Sequence, residues 1–336
     1  MFRSRRQFLK YAIALPSLSF AAASCVSKQQ SSKQSITETK PVATSLQADD
    51  QLIKIRIAYP SGMNGQIAKT MEKAEIAKRH NLDATFKFFQ YGPPMMEALA
   101  SNDIDTAIVG LTASINYLSR NPQKASIIAY LGNSTYSLMV PKTSNIKSEK
   151  DLRGKRVAVS FGSDSHLDLL KLLDDLKLNP KSDVELLNTP PNELQLAFER
   201  EFADAAIIRQ PQSLKMQEKN GAQIIKTWPS RFVALTRSDY LDQNPQVKGR
   251  YIQSLRESIL YISTHKSQAS EWFAEQIRTD PEVIRRVSDE DPNYKATKLE
   301  DISVELTDPI KMLLEEWGNL SYQYGFIKNK VDWNWQ

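Results

Sequence analysis

The sequence predicts an α/β protein of two Rossmann-like lobes joined by a two-segment hinge. Three observations predict it. From Leu52 onward, short apolar runs of strand length alternate with stretches whose apolar residues recur at helical spacing, a βαβα rhythm that implies a largely parallel sheet with helices on its faces. The same unit occurs twice, each copy closing on a short apolar strand of the form D-x-A-I-x, at residues 105–109 (DTAIV) and 204–208 (DAAII). At 336 residues the chain is long for one compact core and comfortable for two.

The elements follow in order. Residues 52–60 (LIKIRIAYP) alternate apolar and polar and form the first strand. Residues 66–80, with Ile67, Met71, Ala74, Ile76 and Ala77 at helical spacing, form a helix. Strand 82–89, helix 93–101 with proline at its start, strand 104–109, helix 113–119 and strand 126–131 complete the first unit. The pattern restarts with a strand at 137–140, then strand 156–160, helix 165–176, strand 183–187, helix 191–198 and strand 204–208. A strand at 232–236 leads back out. The remainder is mostly helical, with Tyr251, Leu255, Ser258 and Ile262 on one face, and Ile310, Leu313, Leu314, Trp317 and Leu320 on another. The expected division is 52–137 with 234–336 as lobe 1 and 138–233 as lobe 2, the chain crossing near Ser137 and Val233.

Composition narrows the function classes. The 44 Lys and Arg residues and 39 Asp and Glu residues are mixed along the chain, so no basic stripe for nucleic acid is present outside the first ten residues. The single cysteine, Cys25, excludes an internal disulfide and a cysteine-based metal site, and the three histidines, His80, His166 and His265, leave little for acid–base chemistry. No metal or cofactor is implied.

The first fifty residues read as an address. Arg3, Arg5 and Arg6 precede an apolar run from Tyr11 to Ala23, too short to span a bilayer core of roughly 30 Å and suited to a signal peptide. Ser4-Arg5-Arg6-Gln7-Phe8-Leu9-Lys10 resembles the twin-arginine export signal, which implies the twin-arginine export machinery as a partner. Ala22-Ala23-Ser24-Cys25 resembles a lipobox with Ala22 where leucine is usual, which implies lipidation of Cys25 and a membrane anchor. Residues 1–25 are thus a signal peptide with a lipobox-like end. Residues 26–51, rich in Ser, Gln, Lys and Thr without apolar period, are a disordered tether.

From Ile53 to the end the chain resembles the type II periplasmic solute-binding proteins, within the family that binds aliphatic sulfonates, taurine, nitrate and thiamine-precursor pyrimidines. The matching pieces are IRIAYPSG, PPMMEALASNDIDTAIVGLTASI, SLMVPKTSNIKSEKDLRGKRVAVSFGSDSHLDLLKLL, NTPPNELQLAFEREFADAAIIRQP, NPQVKGRYIQSL and GFIKNKVDW, and their order and spacing carry the resemblance. It implies capture of a small solute between two lobes, an ABC transporter permease as partner, and a location in the periplasm or at the cell surface. Two alternatives stay open: an enzyme on the same fold, such as a pyrimidine-precursor synthase, whose cysteine-rich motif is absent here, and a non-transport structural lipoprotein.

Candidate ligand residues lie where strands end, because ligands of open α/β sheets sit beyond the carboxyl ends of the strands. Ser61, Met63 and Asn64 follow the first strand. Gly110 and Thr112 link the 104–109 strand to a helix for which Thr112 is the expected N-cap. Gly162, Ser163 and Asp164 form the matching loop of the second lobe, with His166 beside them. Arg209 ends the second D-x-A-I-x strand, where the family more often holds an aromatic or acidic residue. A guanidinium there can clamp an anion or pair with an acid such as Asp164. Tyr91, Tyr136 and Trp228 are candidate aromatic walls. Two helix N-termini and Arg209 together favour an anionic ligand. Ser163 or Ser165 beside His166 is the one candidate arrangement for acyl-transfer chemistry, and neighbouring residues seldom point at one another.

The export reading is testable directly. Replacing Arg5 and Arg6 together by lysine keeps the charge but removes the recognised pair. Cell fractionation should then show the protein retained in the cytoplasm, and export at the normal level would exclude the twin-arginine route.

Overall fold

The computed structural model describes residues 52–333 and 335. The signal, lipobox and tether expected within residues 1–51 lie outside the described residues. The elements are β1 (Ile53–Pro60), α1 (Gly65–Lys73), α2 (Ile76–Arg79), β2 (Leu82–Phe89), α3 (Gly92–Ala100), β3 (Thr106–Gly110), α4 (Leu111–Arg120), β4 (Ala125–Val140), β5 (Arg156–Val159), α5 (Asp164–Asp175), β6 (Glu185–Asn188), α6 (Leu194–Glu199), β7 (Ala205–Arg209), α7 (Gln212–Asn220), β8 (Gln223–Arg237), α8 (Ser238–Gln243), α9 (Val247–Thr264), α10 (Lys266–Ile277), α11 (Pro281–Glu290) and α12 (Asp308–Gln323).

The strands form one sheet in the order β2-β1-β3-β8-β4-β7-β5-β6. Within β2-β1-β3 and within β6-β5-β7 the pairing is parallel. Between these triplets β8 and β4 run antiparallel to one another and to β3 and β7. The sheet therefore has two similar halves sharing a central two-stranded ribbon. Both faces of each half are covered, as period-2 side-chain alternation requires. In the first half Ile55, Ile57 and Tyr59 face α1 and α9, while Ala58, Ala107 and Val109 face α3, α4 and α12. In the second, Val157, Val159 and Ile207 face Leu169, Leu172 and Leu173 of α5, while Ala158, Ala206 and Ile208 face Leu194 and Phe198 of α6 and Met216 of α7.

Three expectations are corrected. The helix expected over 66–80 is two helices, because Glu75 adopts φ 50° between them. The separate strands expected at 126–131 and 137–140 are one 16-residue strand, β4. The strand expected at 232–236 is the end of the 15-residue β8. The ribbon is interrupted where Tyr130 pairs with Val233 and Asn133 with Arg231, two intervening residues on β4 opposing one on β8. Gly132 sits in this bulge at φ 81°, a conformation that calls for glycine, and a Cβ there would also have to displace the Asn293 amide nitrogen 1.9 Å away.

The echo read in the sequence has a physical basis. Asp105, just before β3, accepts from the Arg56 backbone N–H (2.8 Å), Nε (2.9 Å) and Nη2 (2.6 Å) on β1. Asp204, just before β7, accepts from the same atoms of Arg156 on β5, at 2.8, 3.3 and 3.0 Å. Each aspartate ties the third strand of its half to the first. They differ in burial. The Asp105 side chain is 5% exposed and also meets Arg237 at 3.5 Å, whereas the Asp204 side chain is 34% exposed. Removing one partner of a buried charge pair strands the other. Asp105→Ala should therefore cost about 3–5 kcal/mol in denaturant unfolding, and Asp204→Ala about 1 kcal/mol. Equal losses would contradict this ranking.

Candidate functional site

The carboxyl ends of β1 and β3 in one half, and of β5, β6 and β7 in the other, converge on a cavity of about 310 Å³. Its walls are largely apolar and aromatic, with Tyr91, Pro93 and Phe232 on one side and Phe161, Pro190 and Pro191 on the other. Among the predicted site residues, Gly110, Gly162, Ser163, Asp164 and Arg209 line it, as do Tyr91 and Tyr136.

Arg209 ends β7 and reaches toward the other half. Its Nη2 donates to Ser61 Oγ (2.6 Å) and to the Gln90 carbonyl (3.3 Å), and Ser61 Oγ in turn donates to Gln90 O (2.9 Å). No carboxylate pairs with Arg209 among the described residues. Burial lowers its pKa to about 10, which leaves it charged at neutral pH. The ion pair with Asp164 considered from the sequence is not formed. Ser61 lies outside the cavity lining and serves as the guanidinium's partner across the halves.

Asp164 is buried at the start of α5. Oδ1 accepts the Thr112 backbone N–H (2.7 Å) and Oδ2 the Arg231 backbone N–H (3.3 Å). Burial pushes its carboxyl above the usual range, against the opposing pull of Thr112 and Arg231. The N-cap of α4 is Gly110 rather than Thr112. Thr112 lies in the first helical turn, where its Oγ1 accepts from Trp317 Nε1 (3.0 Å). An internal carboxylate thus occupies the α4 N-terminus, where a ligand anion was expected. The α5 N-terminus is capped by Ser163, whose Oγ accepts from the His166 N–H (3.4 Å).

Behind the cavity, Asp168 accepts from the Tyr136 hydroxyl and from Arg231 Nη1 (3.1 Å). The Arg231 guanidinium lies 3.7 Å from the centroid of Trp317, a stacked cation–π contact. Burial raises the Asp168 carboxyl, and Tyr136 and Arg231 pull it back. Trp228 stacks on Tyr136 at 5.9 Å and lies behind the wall. Met63 packs in an apolar cluster with Leu214, Phe273 and Ile284. Asn64 is buried at the start of α1 and also outside the lining.

No serine–histidine pair is assembled. Ser163 Oγ donates to the Ser160 carbonyl (2.6 Å) and shares a bond with Ser165 Oγ (2.8 Å). The His166 ring is stacked on Phe161 (4.2 Å) and meets Phe326 at a tilt (4.9 Å), with Nδ1 accepting the Gly162 N–H (3.3 Å). Burial lowers its pKa to about 4.

The NMT1/THI5-like family profile matches residues 78–269, more than half of the chain. The chain belongs to this family. A Bacillus subtilis (strain 168) protein, whose name proposes aliphatic sulfonate binding, is 25% identical over 300 residues, covering 84% of this chain and 85% of its own. The taurine-binding periplasmic protein of Escherichia coli (strain K12) is 28% identical over 214 residues, covering 61% of this chain and 65% of its own. The crystal structure of the periplasmic aliphatic sulphonate binding protein SsuA from Escherichia coli superposes with a TM-score of 0.70 at 21% identity, over 83% of this chain and 90% of that one. The fold of this NMT1/THI5-like chain is thus the type II periplasmic binding protein fold.

The sequence reading missed Arg231, Asp168, Phe161, Asn188 and Gln90. Phe161 and Asn188 were legible as neighbours of strand ends, and Asn188 opens the NTPP piece. Arg231 comes from the ribbon and carries no motif. Arg231→Met should leave Asp168 buried without its cation and destabilise the protein by about 3–5 kcal/mol. With Arg231 gone the Asp168 carboxyl rises further, so the folded state binds a proton more readily than the unfolded chain and stability increases as pH falls through the folded value. Thermal melts should show a larger loss at pH about 8 than at about 5. A loss independent of pH would exclude this coupling.

Proposed function

We propose that the protein is the extracytoplasmic solute-binding component of an ABC-type importer, and that it captures a small anion in the cleft between its two halves. One observation carries the reading. Arg209 places a charged guanidinium in a largely apolar cavity with no carboxylate partner among the described residues. A half-buried guanidinium whose Nε and Nη1 have no partner among the described residues favours an anionic group of a ligand over solvent. The apolar walls suit an anion carrying a short organic body, in line with the sulfonate and taurine named for the relatives.

In this reading Gly162, Ser163 and Asp164 meet the ligand from α5, Gly110 leaves room for it, and Ser61 positions Arg209. The division into lobe 1 (52–137 and 234–336) and lobe 2 (138–233) is refined to cross the ribbon at the bulge near Asn133 and Arg231, where pairing is already broken and bending is cheapest. Binding without catalysis accords with the relatives, which are named as binding proteins. A twin-arginine signal at Arg5 and Arg6 and a lipid on Cys25 would hold the protein at the membrane surface in the periplasm or outside the cell. The tether would allow it to reach the permease.

Calorimetry against alkanesulfonates, taurine, nitrate and small carboxylates tests the reading. Arg209→Ala should weaken the bound anion by about 2–5 kcal/mol, and Arg209→Lys should recover only part of that, since an ammonium lacks the planar fork. A cationic ligand, or full-strength binding by Arg209→Ala, would overturn it.

A further inference from the structure

Asp164 and Arg209 line the same cavity but are not partners of one another. The carboxylate of Asp164 is committed to the Thr112 N–H at the start of α4 and to the Arg231 N–H on β8. The end of α4 therefore offers no open positive pole to a ligand. Gly110 brings the carboxylate close to the cavity wall, since a Cβ at that position would lie 3.7 Å from Asp164 Oδ2. The charged and titratable groups around Asp164 are Arg231 from β8, Asp168 one turn along α5, and Tyr130 and Tyr136 from β4. Of these, Arg231 is already paired with Asp168 at 3.1 Å.

Among the described residues, the remaining charges bordering the cavity are one guanidinium, Arg209, and one carboxylate, Asp164. A single negative charge on a ligand can settle against Arg209. A second negative charge on the same head would face Asp164 between Phe161, Phe232 and Tyr91, walls that screen charge far less than water does. Resting on the anion-binding reading above, we infer that Asp164 is a specificity-determining charge filter. It makes the cleft accept a monoanion and reject a dianion of the same shape.

A matched pair of ligands isolates the charge: propyl sulfate, a monoanion, and propyl phosphate, a monoester that is almost wholly a dianion at pH about 8.5. By calorimetry at that pH the wild-type protein should bind the phosphate ester at least about 30-fold more weakly than the sulfate ester. Asp164→Asn should cut that ratio by about tenfold or more, chiefly by tightening the phosphate ester. Asp164→Ser, which also clears the second oxygen away from the Arg231 N–H, guards against a folding defect in the first variant. Thermal melts verify both. Arg209→Ala should weaken both ligands together and leave their ratio nearly unchanged.

Wild-type binding of the two ligands within about threefold, or variants that fold and keep the full discrimination, would overturn the inference and leave the anion reading standing. If neither ligand binds the wild-type protein and no other monoanion does, the anion reading itself fails and the filter with it.

Discussion

Tyr130 pairs with Val233 and Asn133 with Arg231, and the one extra residue on β4 between them bends the two strands that both halves share. That shared ribbon constrains everything else at the cleft. β4 and β8 carry their backbone hydrogen bonds from one half into the other, so the strand ends of the two triplets are held facing one another. The bulge also turns Arg231 toward α5 and α12. Its guanidinium reaches Asp168 and the face of Trp317, and its backbone N–H reaches Asp164. Trp317 closes the circuit by donating to Thr112, the residue whose N–H also holds Asp164. One irregular turn of sheet thus gathers α4, α5 and α12 around a chain of buried polar contacts in which each charge has a partner. Such a network is stabilising only while it is complete.

The consequence for the cavity is electrostatic. Two carboxylates and one guanidinium of the network satisfy one another and the neighbouring backbone, and Arg209 stands apart, its partners among the described residues being neutral oxygens. Hydroxyl and carbonyl partners orient a guanidinium without discharging it. Its depressed pKa reflects burial alone, and an anion is what restores the balance.

Much of the fold was legible because local pattern and tertiary surroundings agreed. β2 was read to the residue, since its alternation matches a strand with one buried and one wetter face. The first part of β8 was not. Over residues 223–231 it pairs with β4 alone and is an edge, so its side chains are mixed in polarity and Pro229 is tolerated. Only from Phe232, where β3 joins on the other side, does the sequence turn apolar. The same division governs the site. Arg209, Gly162 and Asp164 follow recognisable strand ends. Arg231 sits mid-strand, and its role arises from a bulge that no local pattern announces. Thr112 shows the converse error, since a residue type suited to capping lay two positions past the true cap.

The internal symmetry explains why the site takes a charge at one position and not another. The first residue past β1, Ser61, donates to the carbonyl of Gln90 just past β2. Its counterpart past β5, Ser160, donates to Thr189 just past β6 at 2.8 Å. Asp105 and Asp204 mark equivalent starts for β3 and β7, and five residues on the equivalent ends are Gly110 and Arg209. Were both positions arginine, a guanidinium at 110 would meet Asp164 and neutralise it; were both glycine, no cation would remain in the cleft. With glycine at one strand end and arginine at the other, Asp164 borders the cavity beside Gly110 without a guanidinium against it, and Arg209 supplies a cation from the same half. The frame is nearly symmetric, and the chemistry of recognition lies in the position where the two copies differ.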